Sequence, residues 1–132
     1  ATEIELSFQG PDQPIWVRMD HGRLRQVMLN LLQNAQQAMP SGGRLSVSIK
    51  RQRNQVQVLV QYNGAGIPAK DHERIFEPFY STKGEGTGLG LALVKRFVQE
   101  ADGTIEVNNN IATNKGTTFC VQLPMAKRQH AS

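Results

Sequence analysis

The sequence predicts a two-layer α/β fold, and three observations carry that prediction. Ile4, Leu6 and Phe8 alternate with Glu5 and Ser7, and residues 44–50 and 55–61 alternate in the same way. Period two is the pattern of strands with one apolar and one wet face. Two longer stretches, residues 21–39 and 91–100, repeat their apolar side chains three and four apart, as helices with one core-facing stripe do. Strand runs separated by two helical patterns, within 132 residues that can bury one core without staples, make a single two-layer domain.

Composition narrows the class. With 39% hydrophobic and 20% charged residues the chain has the make-up of a folded domain rather than a disordered tail. It contains neither a run of eighteen apolar residues nor a signal-peptide pattern, so a cytosolic domain without membrane contact is expected. The net charge of +4 is scattered apart from Lys50-Arg51-Gln52-Arg53 and Lys127-Arg128, and one tryptophan offers little stacking surface. No nucleic-acid partner is expected from such a distribution. The single cysteine, Cys120, lies in the alternating run 118–123 and reads as a buried strand residue rather than a nucleophile.

Taken in order, the first strand is followed by a turn at Gly10-Pro11-Asp12-Gln13-Pro14 and a second short strand over residues 15–19. Asp20 is placed to cap the first helix, which runs from about His21 to Met39 until Pro40-Ser41-Gly42-Gly43 stops it. Its stripe is Leu24, Val27, Met28, Leu31, Leu32, Ala35 and Ala38, while Asn30 and Asn34, four apart, share another face. A hairpin turns over residues 51–54 and delivers the chain to Tyr62-Asn63-Gly64-Ala65-Gly66-Ile67-Pro68. Residues 71–76 read as a short helix capped by Asp71, with His72 at the surface, and Phe76, Phe79 and Tyr80 follow. After the second long helix, Ala101-Asp102-Gly103 leads to strands over 104–107 and 117–123, joined by a polar loop over 108–116. Residues 1–124 form the domain, and 125–132 read as a disordered tail.

The chemistry gathers at Gly86-Thr87-Gly88-Leu89-Gly90-Leu91, where glycines at every second position run into a helix. Missing Cβ atoms let an anion approach the backbone, and a helix start offers it N–H groups, so phosphate is favoured. With this loop stand Asn30-Leu31-Leu32-Gln33-Asn34-Ala35, Gly64-Ala65-Gly66-Ile67, Phe76-Glu77-Pro78-Phe79-Tyr80-Ser81-Thr82-Lys83 and Gly116-Thr117, in that order along the chain.

This ordered set resembles the N, G1, F, G2 and G3 boxes of the ATP-binding catalytic domain of sensor histidine kinases, in the superfamily shared with gyrase, the Hsp90 chaperones and MutL. The resemblance spans residues 2–124. Residues 33–39 are similar to the nitrogen-regulation branch, in which a glutamine such as Gln37 stands where others carry a lysine or histidine. The resemblance implies an α/β sandwich of the Bergerat type, a mixed five-stranded sheet with three helices on one face. It implies ATP and Mg²⁺ as cofactors, with Asn34 giving an amide oxygen to the ion and Asn30 ordering metal-bound water or the reacting group. It further implies nucleotide contacts from Gln37, Gly64, Gly66, Ile67, Tyr80, Thr82, Lys83, Gly86, Thr87, Gly88, Leu89, Gly90, Leu91 and Thr117. The implied partners are a histidine-bearing dimerisation domain and, indirectly, a response regulator; the domain alone is expected to be monomeric.

One position departs from the pattern. Where the G1 box carries an aspartate that reads the adenine amine, this chain has Tyr62. Loss of that charged acceptor removes about 1.5–3 kcal/mol of binding, tenfold or more in affinity, and a ring pointing inward would occupy the adenine pocket. Asn63 cannot replace it, because adjacent strand residues face opposite sides. Three functions follow: a weakened kinase module, a nucleotide-deficient domain that only docks on its partner, or another ATPase or anti-sigma-type serine kinase of the superfamily. None of His21, His72 and His130 stands in a phospho-acceptor context.

Overall fold

The structure, a computed structural model, describes residues 3–64, 66–80, 90–109 and 116–126. Five strands, β1 (Ile4–Gln9), β2 (Gly43–Gln52), β3 (Gln55–Tyr62), β4 (Thr104–Asn109) and β5 (Thr117–Pro124), form one sheet in the order β1-β2-β3-β5-β4. β1 runs parallel to β2 and every other pairing is antiparallel, so the sheet is mixed as expected. Two α-helices, α1 (His21–Ala38) and α2 (Gly90–Glu100), complete the second layer with a pair of 3-10 turns, Ala69–Asp71 and Arg74–Phe76.

Alternation sorts the sheet into two faces. Leu45, Val47, Val56, Val58, Val60, Tyr62, Val107, Phe119, Val121 and Leu123 are buried in one core with Val27, Leu31 and Ala35 of α1 and Val94 and Val98 of α2. Their alternates Gln57, Leu59, Gln61, Glu106, Asn108, Thr118, Cys120 and Gln122 line a groove on the outer face. Cys120 is therefore an outward residue, half-buried rather than in the core, and takes a 3.4 Å hydrogen bond from Gln57. Burial pushes its thiol pKa up, which favours the protonated form over the nucleophilic thiolate.

The helices begin and end as their sequences dictate. Asp20 accepts a hydrogen bond from the Arg23 amide at 3.1 Å and caps α1. Arg23 of α1 reaches Glu100 of α2 and also lies 4.7 Å over the Phe97 ring, tying the two helices at their exposed edge.

Several boundaries differ from the sequence reading. Residues 15–19 form no strand: Val17 makes an isolated bridge to Met125, flanked by Arg18 N–H to Pro124 O and Ala126 N–H to Trp16 O. Two prolines and the Asp20 cap leave that segment too short to add a strand. The same contacts hold Met125 and Ala126 in place, so the folded part runs past Pro124. The hairpin closes on two residues, Arg53 and Asn54, with Arg53 at φ 58°, and β2 extends through Arg51 and Gln52 into the expected loop. The segment 71–76 splits into the two 3-10 turns, and Asp71 is not their cap but a buried residue inside the first.

Candidate functional site

The inner face carries a row of side chains set by register: Leu45 on β2, Tyr62 on β3, Thr117 on β5 and Asn109 on β4 stand side by side. Above this row passes the face of α1 that bears Asn34. Tyr62 thus points into the space between sheet and helix, and only 3% of its surface is exposed. Its ring stacks on Phe119 with centroids 6.4 Å apart and planes 25° apart, and Phe76 meets Phe119 edge-on at 6.2 Å.

The Tyr62 hydroxyl is committed at both ends. It donates to Asn34 Oδ1 at 3.1 Å and is hydrogen-bonded by the side chain of Thr117, itself 1% exposed. Burial pushes the phenol pKa up to about 12, and the Thr117 bond works in the opposite direction. The residue at the base-reading position therefore holds the asparagine and the threonine that the box pattern assigns to metal and base.

Asn34 is half-buried, and an amide oxygen is a suitable hard ligand for magnesium. No group of three His, Cys, Asp or Glu gathers among the described residues to hold an ion by itself. The donor set fits a magnesium shared with a phosphate ligand, with Asn34 as the protein oxygen. In this structure that oxygen is the one Tyr62 engages.

Asn30, expected to order metal-bound water or the reacting group, joins the two helices. Its Nδ2 donates to the carbonyl of Gly90, the first residue of α2, at 3.0 Å, and its Oδ1 accepts from Gln26 at 2.8 Å. It fixes the start of α2 relative to α1, which is where the glycine loop enters the helix. Gln37 is exposed, and Leu91 is half-buried against the core.

The turn after β3 is pinned from three sides. Gly116 N–H donates to Gly64 O at 2.8 Å, Ile67 N–H donates to Asn109 Oδ1 at 3.1 Å, and His72 Nε2 donates to Ile67 O at 2.8 Å. Gly66, at φ 81°, has Asn109 Oδ1 and Gly116 O only 3.1 Å from where a Cβ would sit, so glycine is required there by conformation and by space. Asn63 serves the sheet, accepting from the Arg44 amide at 2.7 Å, and takes no part in the site.

Asn109 was not singled out from the sequence, and Asp71 was expected only as a helix cap. Asn109 keeps the inward parity of Ile105 and Val107, so strand alternation carried to its end would have found it. Asp71 accepts from the Tyr80 hydroxyl at 2.6 Å, while Arg74 sits 4.9 Å over the Tyr80 ring. Of the F-box aromatics, Phe76 is core, Tyr80 is held by Asp71, and Phe79 is 76% exposed at φ 66°. His72, expected at the surface, is half-buried on Ile67. Thr82, Lys83, Gly86, Thr87, Gly88 and Leu89 lie outside the described residues.

Comparison with known proteins identifies the family and the fold. Residues 19–127 match the family described as histidine kinase-, DNA gyrase B-, and HSP90-like ATPase. The chain is 42% identical over 125 residues to the sensor histidine kinase ZraS of Escherichia coli (strain K12), covering 95% of this chain and 26% of that protein. It therefore spans about a quarter of the length of the curated relatives it matches. The nucleotide-free catalytic domain of histidine kinase ThkA superposes with a TM-score of 0.83 at 33% identity, over 92% of this chain and 78% of that one. A structure of ThkA in complex with the response regulator protein TrrA is similar with a TM-score of 0.79 at 28% identity, over 93% of this chain and 34% of that one.

Proposed function

Because the chain belongs to the family of histidine kinase-, DNA gyrase B-, and HSP90-like ATPases, we propose that it is the ATP-binding catalytic domain of a sensor histidine kinase whose nucleotide site is weakened by Tyr62. The parent protein would present ATP to a histidine on a separate dimerisation domain, with a response regulator downstream, and this domain would work as a cytoplasmic monomeric unit. The support is the identity to ZraS and the likeness to ThkA, together with the meeting of Asn34, Tyr62 and Thr117 on the inner face of the sheet. No helix among the described residues is long and apolar enough to cross a membrane.

The work of such a domain is positioning and charge stabilisation. Asn34 would hold Mg²⁺, which when bound neutralises phosphate charge. Asn30 keeps the start of α2, and hence the exit of the glycine loop, in register with α1. Asn109, Gly116 and His72 hydrogen-bond the turn at Gly66, which would form the wall of the base pocket. Gln37, Tyr80, Thr82, Lys83, Gly86, Thr87, Gly88, Leu89 and Leu91 remain the proposed remaining nucleotide contacts.

A second reading has one observation in its favour. The Tyr62 ring is buried where the base reader belongs, which suits a domain that docks on its partner without nucleotide. Titration of ATP and GTP against this chain and Tyr62→Asp separates the two. The weakened-site reading expects feeble binding with little base preference in the parent, and at least tenfold tighter, adenine-selective binding in the variant. Micromolar, adenine-selective binding by the parent overturns the weakening; no binding by Tyr62→Asp favours the docking domain.

A further inference from the structure

The position of Tyr62 explains more than the loss of a base reader. Its ring lies in the layer between β3 and α1, and its hydroxyl spans the remaining gap to Asn34 Oδ1 at 3.1 Å while Thr117 closes on it from β5. One side chain thus bridges the N, G1 and G3 positions. An aspartate carboxylate is several Å shorter than a tyrosine and carries no proton to donate near neutral pH. The bridge to Asn34 exists only because the side chain is both long and a donor.

Resting on the reading of Asn34 as the residue that would hold Mg²⁺, we propose that Tyr62 is a specificity-determining residue that occupies two subsites at once. Its ring fills the place of the base, and its hydroxyl engages the amide oxygen that a metal would use. Base reading is then lost and metal ligation weakened together, by a side chain that the chain carries in its own sequence. The oxygen keeps a second lone pair, so the hydroxyl competes with the ion rather than excluding it outright.

The two losses separate by chemistry. Tyr62→Phe keeps the ring and removes the donor, so it should free Asn34 without reopening the base pocket. Tyr62→Asp should reopen both. Inorganic tripolyphosphate carries the metal but has no base, so calorimetric titration with it, in Mg²⁺ and in EDTA, reads the metal subsite alone. The expected result is a Mg²⁺-dependent gain of about three- to tenfold for Tyr62→Phe over the parent, the worth of one neutral hydrogen bond. That gain should vanish in Tyr62→Phe/Asn34→Ala.

Mn²⁺ with tripolyphosphate should broaden the Asn34 side-chain amide resonances in Tyr62→Phe and leave them sharp in the parent. Tyr62→Leu, which also lacks the hydroxyl, repeats the measurement if the phenylalanine variant folds poorly. Equal Mg²⁺ dependence in parent and hydroxyl-free variants, whether large or nil, overturns the proposal. The Tyr62→Asp titration with Mg²⁺ and ATP keeps the outcomes distinct: failure there defeats the nucleotide reading itself, whereas success there without a gain in Tyr62→Phe defeats only the coupling.

Discussion

Tyr62 and Tyr80 each donate a hydroxyl to a side chain elsewhere in the fold, Tyr62 to the neutral amide of Asn34 at 3.1 Å and Tyr80 to the carboxylate of Asp71 at 2.6 Å. Both phenols are pushed above their ordinary range, but for different reasons. Burial dominates at Tyr62, whereas the bond to Asp71 comes first at Tyr80, followed by burial and the charge of Asp71. The sheet region buries a ring between β3 and α1; the loop region fastens a segment by a short bond to a charge. Removing Tyr62 should therefore change what the domain binds, and removing Tyr80 should change how the chain after Pro78 is held.

The largest expected effect tests the asparagine on which the sheet region converges. In a Tyr62→Asp background, where the implied base reader is restored, Asn34→Ala should abolish the Mg²⁺-dependent part of ATP binding and leave the metal-free part unchanged. Calorimetry with and without metal measures both. Equal affinities under both conditions would remove Asn34 as the metal residue.

Alkaline pH sharpens the contrast between the two phenols. Tyr62 has its folded pKa raised from 10.0 to about 12, so the folded state favours the protonated form. Its contribution is complete below the unfolded pKa and is lost as pH rises through the folded one. Between pH 10 and about 12 the chain should lose on the order of 2–3 kcal/mol that Tyr62→Phe does not lose. Denaturant midpoints for the two proteins across that window give the difference. In Asp71→Asn the Tyr80 phenol should titrate lower and Tyr62 should not move, which ultraviolet titration resolves.

A smaller effect concerns the empty domain. Exchanging Tyr62 for aspartate replaces a ring stacked on Phe119 by a carboxylate in a buried row, and a buried polar group without full compensation costs about 1–3 kcal/mol. Tyr62→Asp should melt below the parent without nucleotide, as expected where function and stability oppose each other at a site. A ligand-free variant markedly more stable than the parent breaks this account.

Much of this arrangement is legible in the residues. Period two places Tyr62 inward and Asn63 outward, and both lie so. Apolar spacing gives α1 nearly to its last residue, because Asp20 and Pro40 bracket it. The partner of the Tyr62 hydroxyl is not legible, since it depends on how far α1 stands from β3, a distance set by the packing of the shared core. Alternation over residues 15–19 misleads for a related reason: a strand needs a neighbour along its length, and among the described residues this segment has a single bridge, from Val17 to Met125 just past β5. Asn108 and Asn109 read as loop because asparagine favours turns, yet pairing with Thr118 and Thr117 extends β4 through them.

That last pair yields the finest test of what keeps the sheet region rigid. Asn109 Oδ1 accepts the Ile67 amide at 3.1 Å and lies 3.1 Å from the place where a Gly66 Cβ would sit, so it both bonds the turn and limits its residue choice. Asn109→Ala removes one hydrogen bond to a partly buried amide, for about 1 kcal/mol of stability. The other two ties, Gly116 to Gly64 and His72 to Ile67, remain, so the turn should loosen without detaching. Amide hydrogen exchange at Ile67 should quicken about fivefold while that of Val60, in the middle of β3, stays unchanged. Equal acceleration at both would mean that Asn109 supports the whole sheet rather than the turn, and the glycine turn would owe its shape to Gly64 and Gly66 alone.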